Sequence, residues 1–419
     1  MTAAVFLILL LGAVPISVVL GMTAIFYIRA SGNEVLFQSF MQQLFSGIEN
    51  YGLLAIPLFM LTGELMNEGG ATRRLIRAAR VFVGGFRGGL AYINLLANMF
   101  MAAIIGSAAS QIAVMTRAMV PAMEAEGYRR DFAAATTAAG GLLAPIIPPS
   151  MLLVIYGVLA QLPIASLFIA GIIPGLMLTA AFFVIIALVG LRQQFPKGDW
   201  MSAREALGAL GAALPALLIP LVIVGSILFG IATPTESAAV ASVMAFLIGA
   251  VIYRDLDIAR FIAIFARVAI NSSLVIFLIA AANVFGWVVI YEALPQRLTA
   301  VVVEATRDPF LFLLIVNLAL FCVGMILDGI AALILLVPIL LPIAVEVYGI
   351  HPVQFGLVVC LNLVLGLLTP PVGAGLYIAA SMSGARPWGI VVALAPFLAA
   401  AVLVLLLLSW FPVLTLALI

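Results

Sequence analysis

Residues 140–150 read GGLLAPIIPPS and lie in the middle of a charge-free run that extends over residues 132–191. The three prolines of this stretch cannot donate backbone hydrogen bonds, and a proline ring clashes with the preceding turn of a helix. A second stretch of this kind, GLLTPPVG, occupies residues 366–373. The sequence therefore predicts two helices that are interrupted inside apolar surroundings.

The composition indicates that these surroundings are lipid. Of the 419 residues, 66% are hydrophobic and 8% are charged, and the mean hydropathy is +1.33, whereas soluble domains carry about 25% charged residues. A crossing of the hydrocarbon core takes about 20 apolar residues, and the apolar runs provide about ten or eleven crossings. A net charge of +1 without basic, aromatic-interleaved runs gives no reason to expect a nucleic acid as a partner.

The chain contains an internal repeat. The repeated residues share one spacing, of about 222 positions: Gly63 with Gly286, Arg74-Leu75 with Arg297-Leu298, Pro121 with Pro342, Gly127 with Gly349, Phe132 with Phe355, and Pro148-Pro149 with Pro370-Pro371. A biased composition produces single matches, but it does not hold one spacing over such a distance. The chain is therefore expected to consist of two related halves.

Basic residues predict that the two halves are inverted. Lys and Arg accumulate on the cytoplasmic side of a membrane, and most of the 18 basic residues fall into a few clusters that can all face the cytoplasm. The cluster at 73–87 then lies inside, and its repeat partner at 295–308 lies outside. Both segments resemble amphipathic helices on the membrane surface. Inverted repeats are a recurring architecture of secondary transporters.

Each half has an apolar run that is interrupted after its surface helix. Residues 88–123 are interrupted by GSAASQ at 106–111, and residues 310–344 are interrupted by Gly324 and by Asp328-Gly329. Backbone that leaves the helix cannot face lipid, so each interruption is expected to be a hairpin tip buried in protein. Its freed carbonyl groups can bind a cation.

Two polar features allow both a functional and a structural reading. An ionisable residue in the middle of a span, such as Asp328, is usually functional, but it can also cap the second helix of its hairpin. The sequence leaves both roles open. Thr233-Pro234-Thr235-Glu236 has the pattern of a capping box, for which we favour the structural reading.

The predicted fold is an all-α polytopic membrane protein with two inverted-topology repeats, helical hairpins and discontinuous helices. The expected organisation is a first repeat at 1–195 with a hairpin at about 88–123 and a broken helix at about 132–160, a cytoplasmic linker at 196–207, and a second repeat at 208–419 with a hairpin at about 310–344 and a broken helix at about 356–381.

Several classes of function are disfavoured by what the sequence lacks. His351 is the only histidine, which argues against a His-rich metal site and a Ser–His dyad, and no Gly-rich loop of the Walker type occurs. An intramembrane aspartyl protease needs two Asp residues within the membrane, and only Asp328 qualifies. We expect a transporter driven by an ion gradient, not an enzyme, and no cofactor.

Four stretches together carry a resemblance that covers nearly the whole chain: LAIPLF at 54–59, IPPS at 147–150, TPTE at 233–236 and LTPPVG at 368–373. In these the sequence resembles the large membrane subunit of a tripartite ATP-independent periplasmic (TRAP) transporter, of the ion-transporter superfamily. The resemblance implies sodium-driven symport in a bacterial inner (cytoplasmic) membrane, by an elevator motion of a transport domain against a scaffold.

The resemblance also implies partners. These are a small four-helix membrane subunit, a periplasmic substrate-binding protein, membrane lipid, and an organic acid such as a C4-dicarboxylate or sialic acid. A stand-alone carboxylate or anion carrier of the same superfamily is the alternative, which uptake by the lone chain would favour.

Family sodium sites, carried onto this chain, imply three groups of residues. The first sodium ion falls near Ser107, Gln111, Gly141, Ala144 and Ile146. The second falls near Gly324, Asp328, Gly366, Thr369 and Val372. Hairpin tips and breaks expected to face the substrate are at Ser110, Pro148, Ser150, Gly329, Pro370 and Gly373.

Overall fold

The computed structural model describes residues 2–12, 14–33, 35–192 and 195–419. In these ranges the chain folds into α-helices joined by short loops, and no β-strand is formed. The helices are α1 (Thr2–Leu11), α2 (Ile16–Ser31), α3 (Val35–Ser46), α4 (Ala55–Glu68), α5 (Ala71–Val83), α6 (Gly89–Ile105), α7 (Ala108–Ala125), α8 (Arg130–Gly141), α9 (Met151–Leu159), α10 (Ile164–Arg192), α11 (Ala203–Leu228), α12 (Pro234–Leu247), α13 (Ile258–Tyr291), α14 (Leu294–Ala305), α15 (Pro309–Gly324), α16 (Gly329–Pro342), α17 (Pro352–Leu367), α18 (Ala374–Ser383), α19 (Pro387–Trp410) and α20 (Val413–Leu416).

Six helices of the described ranges are long and apolar enough to cross a membrane: α10, α11, α12, α13, α16 and α19, with α12 and α16 extended by π-helical turns. Two bent pairs, α3 with α4 and α14 with α15, raise this number to at most eight if each pair counts as one span. The shorter apolar helices α2, α6, α17 and α18 are not included in these numbers, so the expectation of about ten or eleven crossings stays a prediction.

Both predicted hairpins and both predicted broken helices are present. Hairpin 1 consists of α6 and α7, and hairpin 2 of α15 and α16. The first helix break, which we call break 1, separates α8 from α9, and break 2 separates α17 from α18. The limits of the two repeats and of the linker stay predictions; α11 begins at Ala203, within the expected linker.

Reciprocal packing relates the two halves. Helix α16 packs against α9, and α18 packs against α7, so the second arm of each hairpin contacts the broken helix of the other half. In the same way α4 packs against α12, and α2 packs against α13. A two-fold relation requires such exchanged pairs, since each contact then occurs twice. The inverted orientation of the halves in the membrane stays a prediction from the loop charges.

Two groups of helices follow from these contacts. We call α6–α10 together with α15–α19 the hairpin body, and α2, α4, α11, α12 and α13 the frame. Inside the frame, Thr62 of α4 and Ser242 of α12 approach to 2.9 Å between their hydroxyl oxygens. Helix α12 begins with the predicted capping box, in which Thr233 and Glu236 bond each other's backbone N–H groups. The body and the frame touch mainly where α4 meets α6 and where α13 meets α16.

Candidate functional site

The tip of hairpin 1 lies against the end of break 1. Gly106 has a φ of +63°, a left-handed conformation that favours glycine, and it ends α6 so that the chain can reverse into α7. Its carbonyl oxygen accepts a hydrogen bond from the backbone N–H of Met151 at 3.4 Å. Ser150 caps α9, and its hydroxyl donates to the carbonyl oxygen of Pro145 at 2.7 Å. The tip and the break therefore form one connected unit.

A buried amide joins hairpin 1 to the helix before break 1. Nε2 of Gln111 donates to both oxygens of Asn98, at 2.9 Å each, and to the carbonyl oxygen of Gly140 at 3.1 Å. Asn98 is tied to Asn94 in turn, and both side chains are fully buried. Gly140 has to be a glycine, because a Cβ there would lie 2.5 Å from Cγ of Asn98.

The tip of hairpin 2 lies against break 2 in the same way. The N–H of Gly373 donates to the carbonyl oxygen of Met325 at 3.1 Å, and Gly373 has a φ of +46°. Next to this bond, the backbones of Gly324 and Gly366 are so close that a Cβ on Gly366 would lie 2.6 Å from Cα of Gly324. The hydroxyl of Thr369 donates back to the carbonyl oxygen of Leu365 at 2.9 Å.

Asp328 caps the second arm of hairpin 2. Its Oδ2 accepts a hydrogen bond from the N–H of Ile330 at 3.1 Å, which is the structural role that the sequence allowed. The carboxylate is exposed at the tip. A role in binding a cation stays a prediction.

The two hairpins also contact the broken helices across the halves. Gly375 of α18 adjoins Ile112 of α7, since a Cβ at 375 would lie 3.1 Å from Cδ1 of Ile112. Gly329 of α16 adjoins Leu152 of α9, at 3.7 Å by the same measure. Each hairpin is therefore in direct contact with the broken helix of the other half.

A cavity of about 280 Å³ lies between the hairpin body and the frame. The body contributes Ser107, Ser110 and Val114 of α7, Met151 of α9 and Ile330 of α16. The frame contributes Met60, Gly63, Glu64 and Asn67 of α4, and Val268, Asn271, Leu274 and Val275 of α13. Helices α7, α9 and α16 all begin at this cavity.

Two buried amide oxygens have no hydrogen-bond donor among the described residues: Oε1 of Gln111 and Oδ1 of Asn362. Asn362 lies in α17, and its Nδ2 donates to the carbonyl and side-chain oxygens of Asn317 at 2.9 Å each. Each half thus has an amide that joins its hairpin to its broken helix and leaves one oxygen free. A buried acceptor without a partner calls for a water or an ion.

The structure brings some of the predicted site residues together and separates others. Around break 1, Gln111 and Gly141 lie at the contact between α7 and α8, with Gly141 against Ile112. Ser107 lies at the tip of hairpin 1 and lines the central cavity. Ala144 is fully buried in break 1, between α8 and α9. The carbonyl oxygen of Ile146 instead faces Gly171 of α10.

Around break 2, Gly324, Gly366, Thr369 and Gly373 adjoin one another, whereas the side chain of Val372 is exposed. Of the residues expected to face the substrate, Ser110 lines the central cavity. Gly329 starts α16 beside it, and Ser150 precedes Met151 in its wall. Pro370, in break 2, is not among the cavity's lining residues.

Pro148 lies elsewhere. It lines a separate apolar crevice of about 230 Å³ between α6, α10 and α11, together with Met99 and Ile172. The structure therefore does not bring Pro148 to the cavity that the hairpin tips share.

The frame side of the cavity was missed by the sequence-based prediction of sites. Glu64 and Asn67 lie one turn apart on α4, and Asn271 comes from α13. Arg267 of α13 pairs with Glu68 and lies 3.9 Å from Glu64, which fixes α13 to α4 beside the cavity. The i, i+3 spacing of Glu64 and Asn67 on an apolar helix was the only available signal.

Comparison with known proteins assigns this architecture. The family model described as the tripartite ATP-independent periplasmic transporter, DctM component, matches residues 3–414. The sialic acid TRAP transporter large permease protein SiaM of Vibrio cholerae serotype O1 is 37% identical over 377 residues, which cover 90% of this chain and 88% of SiaM. The C4-dicarboxylate TRAP transporter large permease protein DctM of Pseudomonas aeruginosa is 36% identical over 376 residues, again 90% of this chain and 88% of the relative.

The 2,3-diketo-L-gulonate TRAP transporter large permease protein YiaN of Escherichia coli is 36% identical over 336 residues, 80% of this chain and 79% of YiaN. Among solved structures, the YdaH transporter of Alcanivorax borkumensis matches with a TM-score of 0.63 at 13% identity and covers 91% of this chain and 89% of YdaH. The efflux pump MtrF of Neisseria gonorrhoeae matches with a TM-score of 0.61 at 10% identity, over 91% of this chain and 85% of MtrF.

These matches confirm the predicted family and fold class, and the relatives are named as permeases rather than enzymes. The long apolar helices and the family agree with a multi-pass protein of the bacterial inner membrane. The chain belongs to the DctM family, the large membrane permease subunits of TRAP transporters.

Proposed function

We propose that this permease imports an organic acid in symport with sodium, and that a periplasmic binding protein delivers the acid while a small four-helix membrane subunit completes the transporter. The relatives named above are permeases for sialic acid, C4-dicarboxylates and 2,3-diketo-L-gulonate, which are all carboxylic acids. We extend this substrate class, and no single member of it, to the present chain.

The observation that carries the proposal is the convergence of helix N-termini on the central cavity. Helices α7 and α9 begin there with the uncharged caps Ser107 and Ser150, so their positive dipole ends remain available to an anion. The hydroxyl of Ser107 makes no capping bond and is free to contact a ligand. A cavity of about 280 Å³ has the size for a small organic acid.

Sodium coupling is supported by the oxygen atoms around the two breaks. Hard cations prefer oxygen ligands, and unwound backbone in transporters supplies carbonyl groups to sodium. The free Oε1 of Gln111 lies at the first predicted sodium site. In the group that the resemblance assigns to the second ion, Gly366 contacts Gly324 and its carbonyl oxygen accepts a hydrogen bond from the N–H of Thr369 at 3.0 Å. Asp328 caps α16 four residues after Gly324 and would add a carboxylate.

An elevator motion fits the division of the helices into a hairpin body and a frame. Each broken helix is bonded to its own hairpin tip and packed against the other hairpin, so the body is internally connected. The central cavity separates α7 of the body from α4 and α13 of the frame over part of their length. We therefore propose that the body moves as a unit past the frame.

The test is uptake into proteoliposomes that contain this chain, the small subunit and the binding protein, with a labelled acid chosen by thermal-shift screening of the binding protein. Uptake should require sodium outside and should fall to background when sodium is equal on both sides. Uptake that persists after the sodium gradient has been collapsed would overturn the coupling. Uptake by the large subunit alone would overturn the requirement for partners.

A further inference from the structure

A second, larger cavity lies at the charged end of the molecule. It has a volume of about 700 Å³ and is bounded by the surface helix α5, by α6, by α11 and by the loop before α13. Four arginines of α5 line it: Arg73, Arg74, Arg77 and Arg80. Its apolar lining comes from Ile76, Leu90 and Ile93. The cavity thus combines a cationic wall with an apolar one.

Two of the arginines are committed to structural contacts. Arg74 donates to Oδ2 of Asp255 at 2.8 Å and to the carbonyl oxygen of Gly70 at 2.9 Å, and its guanidinium lies 3.7 Å from the ring centroid of Tyr253. Arg73 contacts Oδ1 of the same carboxylate at 3.3 Å. The carboxylate of Asp255 is therefore shared between the guanidinium groups of Arg73 and Arg74.

Arg77 and Arg80 have no carboxylate within 4.0 Å among the described residues. Glu205 is the acidic group that acts on them from α11, and its Oε2 is already bonded to the N–H and the hydroxyl of Ser202, at 3.0 and 2.7 Å. Glu126 and Asp199 line a neighbouring cavity together with Arg80, but neither lies within 4.0 Å of a guanidinium group of α5 in the ranges that the structure describes. Both free guanidinium groups are exposed, so an anion can reach them from the cavity.

Exposed aromatic side chains lie at the end of α5, which lines this cavity. Trp200 is 60% exposed and packs edge-on against Phe86, with ring centroids 5.5 Å apart. Phe82, on the last turn of α5, is also exposed. Exposed Trp and other amphipathic rings concentrate where lipid headgroups meet water. From this pattern we expect the arginines to lie at the level of the lipid phosphate groups.

We infer that this cavity binds the headgroup of an anionic phospholipid, with Arg77 and Arg80 contacting its phosphate and an acyl chain lying along Ile76, Leu90 and Ile93. Guanidinium groups match phosphate oxygens in geometry and charge. Basic pockets between helices on the cytoplasmic side of a membrane are suited to anionic headgroups. The apolar wall favours a lipid over free phosphate, because a free phosphate leaves that wall unoccupied.

The position of the cavity gives the lipid a specific place in the fold. One wall is α6 of the hairpin body, and Ala212 of α11 in the frame lies opposite. A bound lipid therefore contacts both groups of helices at once. Binding itself does not depend on which ion drives transport, so it can be tested apart from the proposed function.

The experiment measures thermal unfolding of the purified permease in an uncharged detergent during titration with dioctanoyl-phosphatidylglycerol. Dioctanoyl-phosphatidylcholine and inorganic phosphate serve as the zwitterionic and the headgroup-only probes. We expect saturable stabilisation by phosphatidylglycerol only. Equal stabilisation by phosphatidylcholine or by phosphate would overturn the inference.

Two double variants with the same loss of charge locate the site. Arg77→Gln/Arg80→Gln should weaken the apparent affinity for phosphatidylglycerol by roughly tenfold or more. Arg192→Gln/Arg386→Gln, which changes two exposed arginines elsewhere, should leave that affinity unchanged. Equal affinities of the two variants would refute the site. As a second measurement, native mass spectrometry of the wild-type protein should show a retained phosphatidylglycerol adduct, and loss of every anionic lipid under mild conditions would contradict it.

Discussion

Gln111 of α7 donates a hydrogen bond from its Nε2 to the carbonyl oxygen of Gly140 in α8, at 3.1 Å, in a fully buried position. The bond ties hairpin 1 to the helix that runs into break 1. It also directs the other end of the amide, Oε1, into a place where no described group donates to it.

Replacing Gln111 by Leu should lower both stability and the response to sodium. The substitution leaves buried oxygens of Asn98 and Gly140 with fewer donors, which costs about 1–3 kcal/mol in the free energy of unfolding. If Oε1 is a sodium ligand, the thermal stabilisation of the purified protein by sodium chloride over choline chloride should also be lost. The matched control is Gln296→Leu, at an exposed position of α14. If sodium chloride stabilises the Gln111→Leu variant as much as the wild-type protein, Gln111 is not a sodium ligand.

Gly366→Ala should lower the free energy of unfolding by about 1–3 kcal/mol, a cost typical of overpacking. The new Cβ would lie 2.6 Å from Cα of Gly324 and 2.8 Å from the backbone nitrogen of Met325, and backbone cannot turn away as a side chain can. In Gly211→Ala the same change is made within α11, where a Cβ meets nothing within 4 Å. The control substitution should leave the free energy of unfolding unchanged or raise it slightly, because alanine favours the helix more than glycine does. Thermal unfolding midpoints of the two variants measure the difference, and equal midpoints would contradict the close approach.

A disulfide between the frame and the hairpin body should stop transport. The disulfide joins Gly63→Cys of α4 to Ile105→Cys of α6, in a Cys322→Ser background that removes the exposed native thiol. The two positions are close enough for a disulfide, because a Cβ at residue 63 would lie 3.4 Å from Cα of Ile105. Oxidation should abolish uptake in proteoliposomes, and reduction should restore it. The control is Thr62→Cys/Ser242→Cys, which joins α4 to α12 within the frame. Normal uptake by the oxidised Gly63–Ile105 pair would exclude movement between α4 and hairpin 1.

Asp328→Asn separates the two roles of this carboxylate. Asparagine is as good an N-cap as aspartate, so the fold should be retained with a change in stability of less than about 1 kcal/mol. If the charge helps to bind sodium, the sodium concentration for half-maximal uptake should rise about tenfold or more, and Asp328→Ala should impair uptake strongly. Asp308→Asn is the control, because Asp308 caps α15 through the N–H of Leu311 at 2.8 Å without lying at a hairpin tip. If Asp328→Asn and Asp308→Asn show equal uptake at every sodium concentration, Asp328 only caps its helix and does not bind sodium.

Features that depend on local sequence were predictable. Single prolines such as Pro174 lie inside continuous helices, but clustered prolines next to glycines interrupt them, so the breaks at 142–150 and 368–373 followed from the local sequence. The caps at Thr233 and Asp328 also depend on a few neighbouring residues, and the structure has both. The family motifs added the assignment of the breaks to two cation sites, which stays a prediction.

Features that depend on packing between distant segments were not predictable. Glu64 and Arg267 meet across the cavity wall although about 200 residues separate them, and no short-range pattern connects such a pair. Residues 35–68 form two bent helical segments, whereas the equivalent part of the second half is the single helix α13. The direction of the Ile146 carbonyl group is likewise set by its contact with Gly171 of α10.

The exchanged packing of the halves has a consequence for how the protein is made. Helix α7 rests on α18, and α9 rests on α16, so neither hairpin has its final neighbours while only the first half has been synthesised. Hairpin 1 must therefore wait in the membrane until residues 374–383 leave the ribosome and insert. Assembly of this permease is therefore closer to the docking of two subunits than to the sequential folding of one chain.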